Sequence, residues 1–168
     1  MSFKIDFELK VRNLTEPSES EIATLGQLEI SDWQEVKGGS FTESLDVWRN
    51  GSKDQILGFC FLLADQQVGM TLFKRPPLSP DWASENAATI HGLKISTPWQ
   101  RKGFGHKAFK LAVNHLKKEW PSITSLMLAV DADNAAAMAV YRTFGMTDSG
   151  PVQGTNGLEH RFEISLPP

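Results

Sequence analysis

One stretch constrains the fold more than any other: AATIHGLKISTPWQRKGFGHKAFKLAVNHLKKEW, from Ala87 to Trp120. Ala87–Ile95 reads as a strand, and Thr97-Pro98 marks its exit, since proline has no amide hydrogen to give a ladder. From Gly103 to Trp120, apolar residues recur at Phe104, Ala108, Leu111, Ala112 and Leu116, the recurrence of an amphipathic helix. Pro121 stops it. Between strand and helix lies Gln100-Arg101-Lys102-Gly103-Phe104-Gly105. The first amides of a helix have no intrahelical partner and sit at the positive end of its dipole. Glycines let an anion approach the backbone, and Arg101, Lys102 and His106 add charge. A strand, a cationic glycine turn and a helix start together predict a phosphate-binding mouth. The plainer alternative is a surface turn that uses glycine only to enter the helix.

Two familiar nucleotide motifs fail here. Gly103-Phe-Gly105-His-Lys-Ala108 fits a dinucleotide fingerprint, with Asp131 as its downstream acid. That fold, however, needs successive strand–helix–strand units with the fingerprint after the first strand. Here several strands precede the turn, two of them a hairpin. A nucleoside-triphosphate loop is excluded because no Gly-Lys-Ser/Thr ends the turn.

The rest of the chain reads as one α/β domain spanning residues 1–168. Phe3–Val11 alternates with period two, as a half-buried strand does. Ser18 with Glu21 three residues on has capping-box spacing and predicts a helix. The pattern across Trp33–Asn50 predicts a short helix or loop around Phe41–Val47. QILGFCFLLA and QVGMTLFK predict two antiparallel strands joined by a tight turn. RPPLSPDWASEN is a proline-rich loop, ITSLMLAV a buried strand, and LEHRFEISL one last strand.

Composition removes several function classes. Lys and Arg number 17 against 20 Asp and Glu, a net charge of -3 and a poor match to a nucleic-acid backbone. A single cysteine, Cys60, rules out an intrachain disulfide, and its apolar neighbours mark it as core. The N-terminal residues lack a signal-peptide core and no apolar run is long enough for a bilayer, so a soluble cytoplasmic protein without membrane partners is expected. The four histidines have no close metal-ligand spacing, and no metal is expected.

A second motif follows in AVDADNAAAMAVYRTFGM, Ala129–Met146. Asn134 stands between a strand end and a helix start, with Ala137 and Tyr141 three and seven residues on, along one helical face. The two motifs in this order resemble the GNAT superfamily, the acyl-coenzyme-A-dependent N-acyltransferases. LKISTPWQRKGFG is similar to that family's strand and Q/R-x-x-G-x-G/A turn. NAAAMAVYRTFGM matches its N-x-x-A-x-x-x-Y-x-x-x-G-F element, except that Met146 replaces phenylalanine. The detailed match covers about Ala87 to Met146.

The resemblance implies a mixed, mainly antiparallel sheet of six to seven strands flanked by about four helices. It implies acetyl-coenzyme A as cosubstrate and an amine as acceptor. Main-chain groups of Leu93, Lys94 and Ile95 would pair with the pantetheine amides, and Gln100, Arg101, Lys102, Gly103, Phe104, Gly105 and His106 would hold the pyrophosphate. Asn134 and Ala137 would border the coenzyme, Asn134 also capping its helix. Tyr141, the only tyrosine, takes the general-acid position, where a phenol with a pKa near 10 is protonated. His91 aligns with a position where many relatives carry a glutamate, and histidine titrates near neutrality. Glu85 is an alternative base, and an amine that arrives neutral needs none. Trp33, Trp48 and Trp82 lie in segments that normally line the acceptor side, either as an aromatic wall or as packing; Asp32, Glu35, Glu43 and Asp46 are the candidate acids there.

Three functions stay open at this point. They are an N-acetyltransferase acting through a ternary complex, a non-catalytic acyl-coenzyme-A sensor and a nucleotide-binding oxidoreductase. Pairing of two copies through sheet edges is a further expectation.

Overall fold

The computed structural model describes residues 8–168. Its strands are β1 (Leu9–Asn13), β2 (Ile56–Leu63), β3 (Gln66–Lys74), β4 (Ala87–Ile95), β5 (Ser125–Asp131), β6 (Thr147–Gly154) and β7 (Gly157–Ser165). The α-helices are α1 (Glu19–Gly26), α2 (Asp32–Gly38), α3 (Phe41–Asn50), α4 (Phe104–Glu119) and α5 (Ala135–Phe144), with a 3₁₀ turn at Thr97–Trp99. The strands form one sheet in the order β1-β2-β3-β4-β5-β7-β6. Every pairing is antiparallel except β4 with β5. Parallel neighbours need a crossover, and α4 supplies it.

The sheet is covered on both faces, which is why β2 is buried along its whole length and reads as a continuous apolar run. One face packs under α4 and α5 through Ala108, Phe109, Val113, Leu116, Met138 and Tyr141. The other packs under α1 and α3 through Ile22, Leu25, Phe41, Leu45 and Trp48, with Cys60 buried among them. No described helix is long and apolar enough to cross a membrane.

Three segments differ from the sequence expectation. The predicted strand Phe3–Val11 begins outside the described residues, and β1 occupies Leu9–Asn13. The short helix expected around Phe41–Val47 is present as α3, but a second helix, α2, precedes it where none was expected. Two helices, α2 and α3, each start with a full capping box, Ser31 with Gln34 and Ser40 with Glu43. This is the serine signature that marked α1, repeated twice. The single last strand is a hairpin of two. β6, TDSGPVQG, carries residues that strands usually avoid, but as the outermost strand it needs partners on one side only, so Pro151 is tolerated.

The β3–β4 contact leaves no room at Gly69. A methyl group there would collide with the main-chain carbonyl of Lys94, a neighbour that cannot swing aside. Gly69→Ala should destabilise the protein by about 1–3 kcal/mol, as overpacking does. Urea unfolding measures it; an unchanged midpoint would show that the two strands slide apart freely.

Candidate functional site

The site begins where the parallel pair comes apart. β4 and β5 are in register only at Ala87–Ser125, Ala88–Leu126 and Thr89–Met127. Beyond Thr89 the strands diverge, and the β4 edge from Ile90 to Ile95 is left without a β5 partner. A bulge accompanies the divergence: Gly92 has φ +60°, and the β3–β4 register shifts between Met70 and Leu72. Such a bulge bends one strand away from its neighbour.

Lys94 stabilises the bulge from beneath. Its side chain is 5% exposed, and Nζ donates to the Gly92 carbonyl at 3.3 Å and to Ser44 Oγ of α3. A side chain at Gly92 would strike that ammonium, so glycine is needed there for space as well as for its φ. Burial pushes the Lys94 pKa down to about 8, against a smaller upward pull from Glu43.

β4 runs into the glycine turn. Arg101 (φ +59°) and Gly103 (φ +81°) are left-handed, a geometry that turns successive N–H groups toward one side. A Cβ on Gly103 or Gly105 would meet nothing within 4 Å, so the turn faces open space. Among the described residues, the N–H groups of Arg101, Lys102 and Gly103 form no hydrogen bond, and α4 has no side-chain cap. The first amides of α4, at Phe104, Gly105 and His106, are the free donors that a helix start leaves. Gln100 departs from expectation. Its N–H is used by Thr97 O at 3.3 Å, and its side chain donates to Ile95 O and to Gln34 Oε1. It braces the turn instead of offering an amide. Lys102 lies 5.3 Å from the Trp99 ring. His106 packs against Phe144 with its Nδ1 buried and unpartnered.

On α5, Asn134 caps the helix, its side chain accepting from Ala137 N–H at 3.2 Å. Ala137 is half-buried against the core. The Tyr141 ring is buried between Phe109 and Phe162, with centroids at 5.4 and 5.8 Å, and burial pushes its pKa up to about 12. Its hydroxyl forms no hydrogen bond among the described residues, and the residue is 9% exposed.

His91 sits at the divergence on the face opposite α4, paired in register with Leu72. Its Nε2 lies 2.7 Å from Thr89 Oγ1. Burial, helped by Lys74 and Lys94, pushes its pKa down to about 4. The near-neutral titration expected of a base at this position is therefore absent, because the imidazolium loses too much hydration. Glu85 is exposed and does not line the cavity beside His91.

That cavity, of about 550 Å³, opens between His91, Trp82 of the proline-rich loop, Ala129 of β5 and the β6–β7 hairpin. The hairpin contributes Gln153, Thr155, Glu159 and Arg161, none of which the sequence reading singled out. The signal was present: Glu159, Arg161 and Glu163 alternate on one face of the closing strand. Of the three tryptophans, only Trp82 lines the cavity. Trp48 is core beneath Lys53, and Trp33 is 47% exposed on α2. Helix α2 buries none of its own side chains and is tied down by polar contacts. Lys37 bridges to Asp131 and Asp133 at 3.1 and 2.9 Å, and Gln34 accepts from Gln100 at 2.8 Å. Asp131, the acid of the rejected dinucleotide fingerprint, is thus engaged by Lys37. Among the described residues, no three His, Cys, Asp or Glu side chains are grouped to hold a metal.

A parallel pair that opens into a cleft, an uncapped glycine turn at its end and a cavity lined by His91 and the last hairpin are the open features of this sheet. The family profile "Acetyltransferase (GNAT) family" matches residues 12–146, and the chain belongs to the GNAT acetyltransferase family. It is 29% identical over 123 residues to a mycothiol acetyltransferase of Kocuria rhizophila, covering 71% of this chain and 36% of that protein. It is 29% identical over 84 residues to an Escherichia coli [ribosomal protein bS18]-alanine N-acetyltransferase, covering 48% of this chain and 55% of that one. The chain thus spans between about a third and just over half of these relatives' lengths. In fold it is similar to an aminoglycoside acetyltransferase solved with coenzyme A (TM-score 0.76, 15% identity, 94% of this chain and 95% of that one). It is also similar to a ribosomal L7/L12 α-N-protein acetyltransferase solved with coenzyme A (TM-score 0.70, 18% identity, 94% of each).

Lys94 makes a pH prediction with a definite sign. Folded Lys94 loses its proton near pH 8, whereas the unfolded chain holds it to about 10.5. Between these values the unfolded state binds more protons, so this group's contribution to stability rises with pH. Lys94→Met lacks that contribution. Its stability relative to the parent should be most favourable below pH 8 and decline by up to about 3 kcal/mol by pH 10.5. Urea unfolding of both proteins across that range tests it; a pH-independent difference would mean that the amine is not desolvated.

Proposed function

We propose that the chain is an N-acetyltransferase that moves the acetyl group of acetyl-coenzyme A directly to a primary amine within a ternary complex. The observation that carries this reading is the unpaired β4 edge, Ile90–Ile95, running into the uncapped turn Arg101–His106. An extended chain of amides such as pantetheine can add to that edge as a strand would, through Leu93, Lys94 and Ile95. The turn then takes the pyrophosphate on free amides, with Arg101 and Lys102 supplying charge. Asn134 and Ala137 border the same groove from α5.

In the reaction the amine nitrogen attacks the thioester carbon. A C–N bond forms, the C–S bond breaks, the amine loses a proton and coenzyme A leaves as a thiol. Tyr141 stays protonated at any working pH and donates a hydrogen bond to the departing sulfur. Full transfer from a phenol near 12 to a thiolate whose acid form has a pKa near 8.5 is uphill, so the amine's own proton balances the step. His91 is neutral and too weak a base to deprotonate an ammonium, so it orients an amine that arrives uncharged.

The sensor reading lacks a use for the cavity on the far side of the cleft. The oxidoreductase reading needs successive parallel strands, and this sheet has one parallel pair. If two copies pair by sheet extension, β1 is the available edge, because Pro151 removes a donor from β6.

Acetyl-coenzyme A at about 100 times its dissociation constant should stabilise the fold by about 2.7 kcal/mol. For a chain of this size that raises Tm by roughly 5–10 °C. NAD should give no shift, and the reverse result would overturn the assignment. Tyr141→Phe should lower kcat on the order of 100-fold while leaving KM for acetyl-coenzyme A within about threefold. Unchanged turnover in a free-thiol release assay removes Tyr141 from the chemistry.

A further inference from the structure

The cavity beyond the cleft carries a cation arranged to receive something. Arg161 lies on β7, where Nε donates to Glu159 Oε1 at 3.3 Å and the guanidinium sits 4.8 Å from the Trp82 ring centroid. These two contacts use one edge and one face of the group. Its terminal Nη groups form no hydrogen bond among the described residues, are not sealed from solvent and belong to a side chain lining the cavity. A guanidinium held by a stack and an ion pair, with its fork left over, matches a carboxylate in two parallel hydrogen bonds.

The remaining charges point the same way. Glu159 is neutralised by Arg161, and Asp131, its register partner across β5–β7, is bound by Lys37. Among the described residues Glu159 is the only carboxylate lining the cavity, and its pairing leaves no unpaired acid among them to attract a polycation. Gln153 and Thr155 add neutral hydrogen-bonding groups, and His91 is uncharged. A volume of about 550 Å³ suits a small molecule.

Resting on the acetyltransferase reading above, we propose that the acceptor is a small amino acid: a primary amine presented near His91 and, on the same molecule, a carboxylate clamped by Arg161. Trp82 and Glu159 act as positioning residues that hold the guanidinium flat and aim its fork.

The test is thiol release from acetyl-coenzyme A with α-amino acids and ω-amino acids of graded length, each beside its carboxamide, which keeps the amine and removes the negative charge. The parent protein should prefer at least one acid over its amide by roughly 10- to 100-fold in kcat/KM, the worth of a hydrogen-bonded charge. Arg161→Met should collapse that ratio toward one by raising KM for the acid, and Arg161→Lys should fall between. The melting shift with acetyl-coenzyme A, retained in both variants, shows that they fold and bind donor. The inference is overturned if acid and amide react equally in the parent protein, if the ratio survives in Arg161→Met, or if donor binds but only uncharged amines, polycations or peptide termini are acetylated. Absence of any melting shift in the parent protein overturns the acetyltransferase reading itself, which distinguishes the two failures.

Discussion

The separation of β4 from β5 after Thr89 is the constraint from which the rest of the site follows. Two adjacent parallel strands in the middle of a buried sheet would ordinarily pair along their whole length, because each unpaired backbone group loses a hydrogen bond that water cannot replace. Here pairing stops after three residues, and the bulge at Gly92 keeps it from resuming. The Gly92 carbonyl, turned out of the ladder, is satisfied by the Lys94 ammonium. A charged group is buried to do this, and its depressed pKa records how far the surroundings disfavour that charge. The fold thus maintains an open sheet edge through an arrangement that an uninterrupted strand would not need.

Desolvation then sets the character of three titratable side chains near the opening. Tyr141 is pushed up, His91 and Lys94 are pushed down, and in each case burial is the largest cause. All three shifts favour the uncharged form. An interior of this kind suits reaction between a neutral amine and a neutral thioester, and strengthens any hydrogen bond formed to charge that develops later. It does not suit a side-chain base that must hold a proton in the ground state, and for this reason our reading gives His91 an orienting role.

How much of this was legible in the sequence depended on whether the information was local. The glycine turn, the Asn134 cap and the crossover helix are each written within one contiguous segment, and each formed where the pattern placed it. Helices α2 and α3 carried serine capping boxes, but α2 buries no side chain and so has no apolar face to mark it, and α3 is only ten residues long. β6 was not legible, because TDSGPVQG has no alternation of apolar residues and only Thr147 and Val152 favour a strand. The depressed pKa of His91 was also invisible, since it comes first from burial under elements distant in sequence and then from Lys74 and Lys94 across and along the sheet.

The same division separates the two halves of the site. The donor side consists mainly of main-chain groups: an unpaired strand edge and free amides at a helix mouth. Backbone hydrogen bonding survives most changes of side chain, so this half can be held constant while the rest of a sequence drifts. On our reading the acceptor side is the cavity whose side chains converge from the proline-rich loop, β4, β5 and the last hairpin. Arg161 illustrates the difference, because its orientation depends on Trp82, far away in the chain, and on Glu159, and replacing either would free the guanidinium without touching the donor cleft. On that reading, acceptor choice is set by a few contacts between sequence-distant elements. A strand–turn–helix motif identifies the acyl carrier, whereas the acceptor has to be argued from the charges that the fold leaves unpaired on the opposite face.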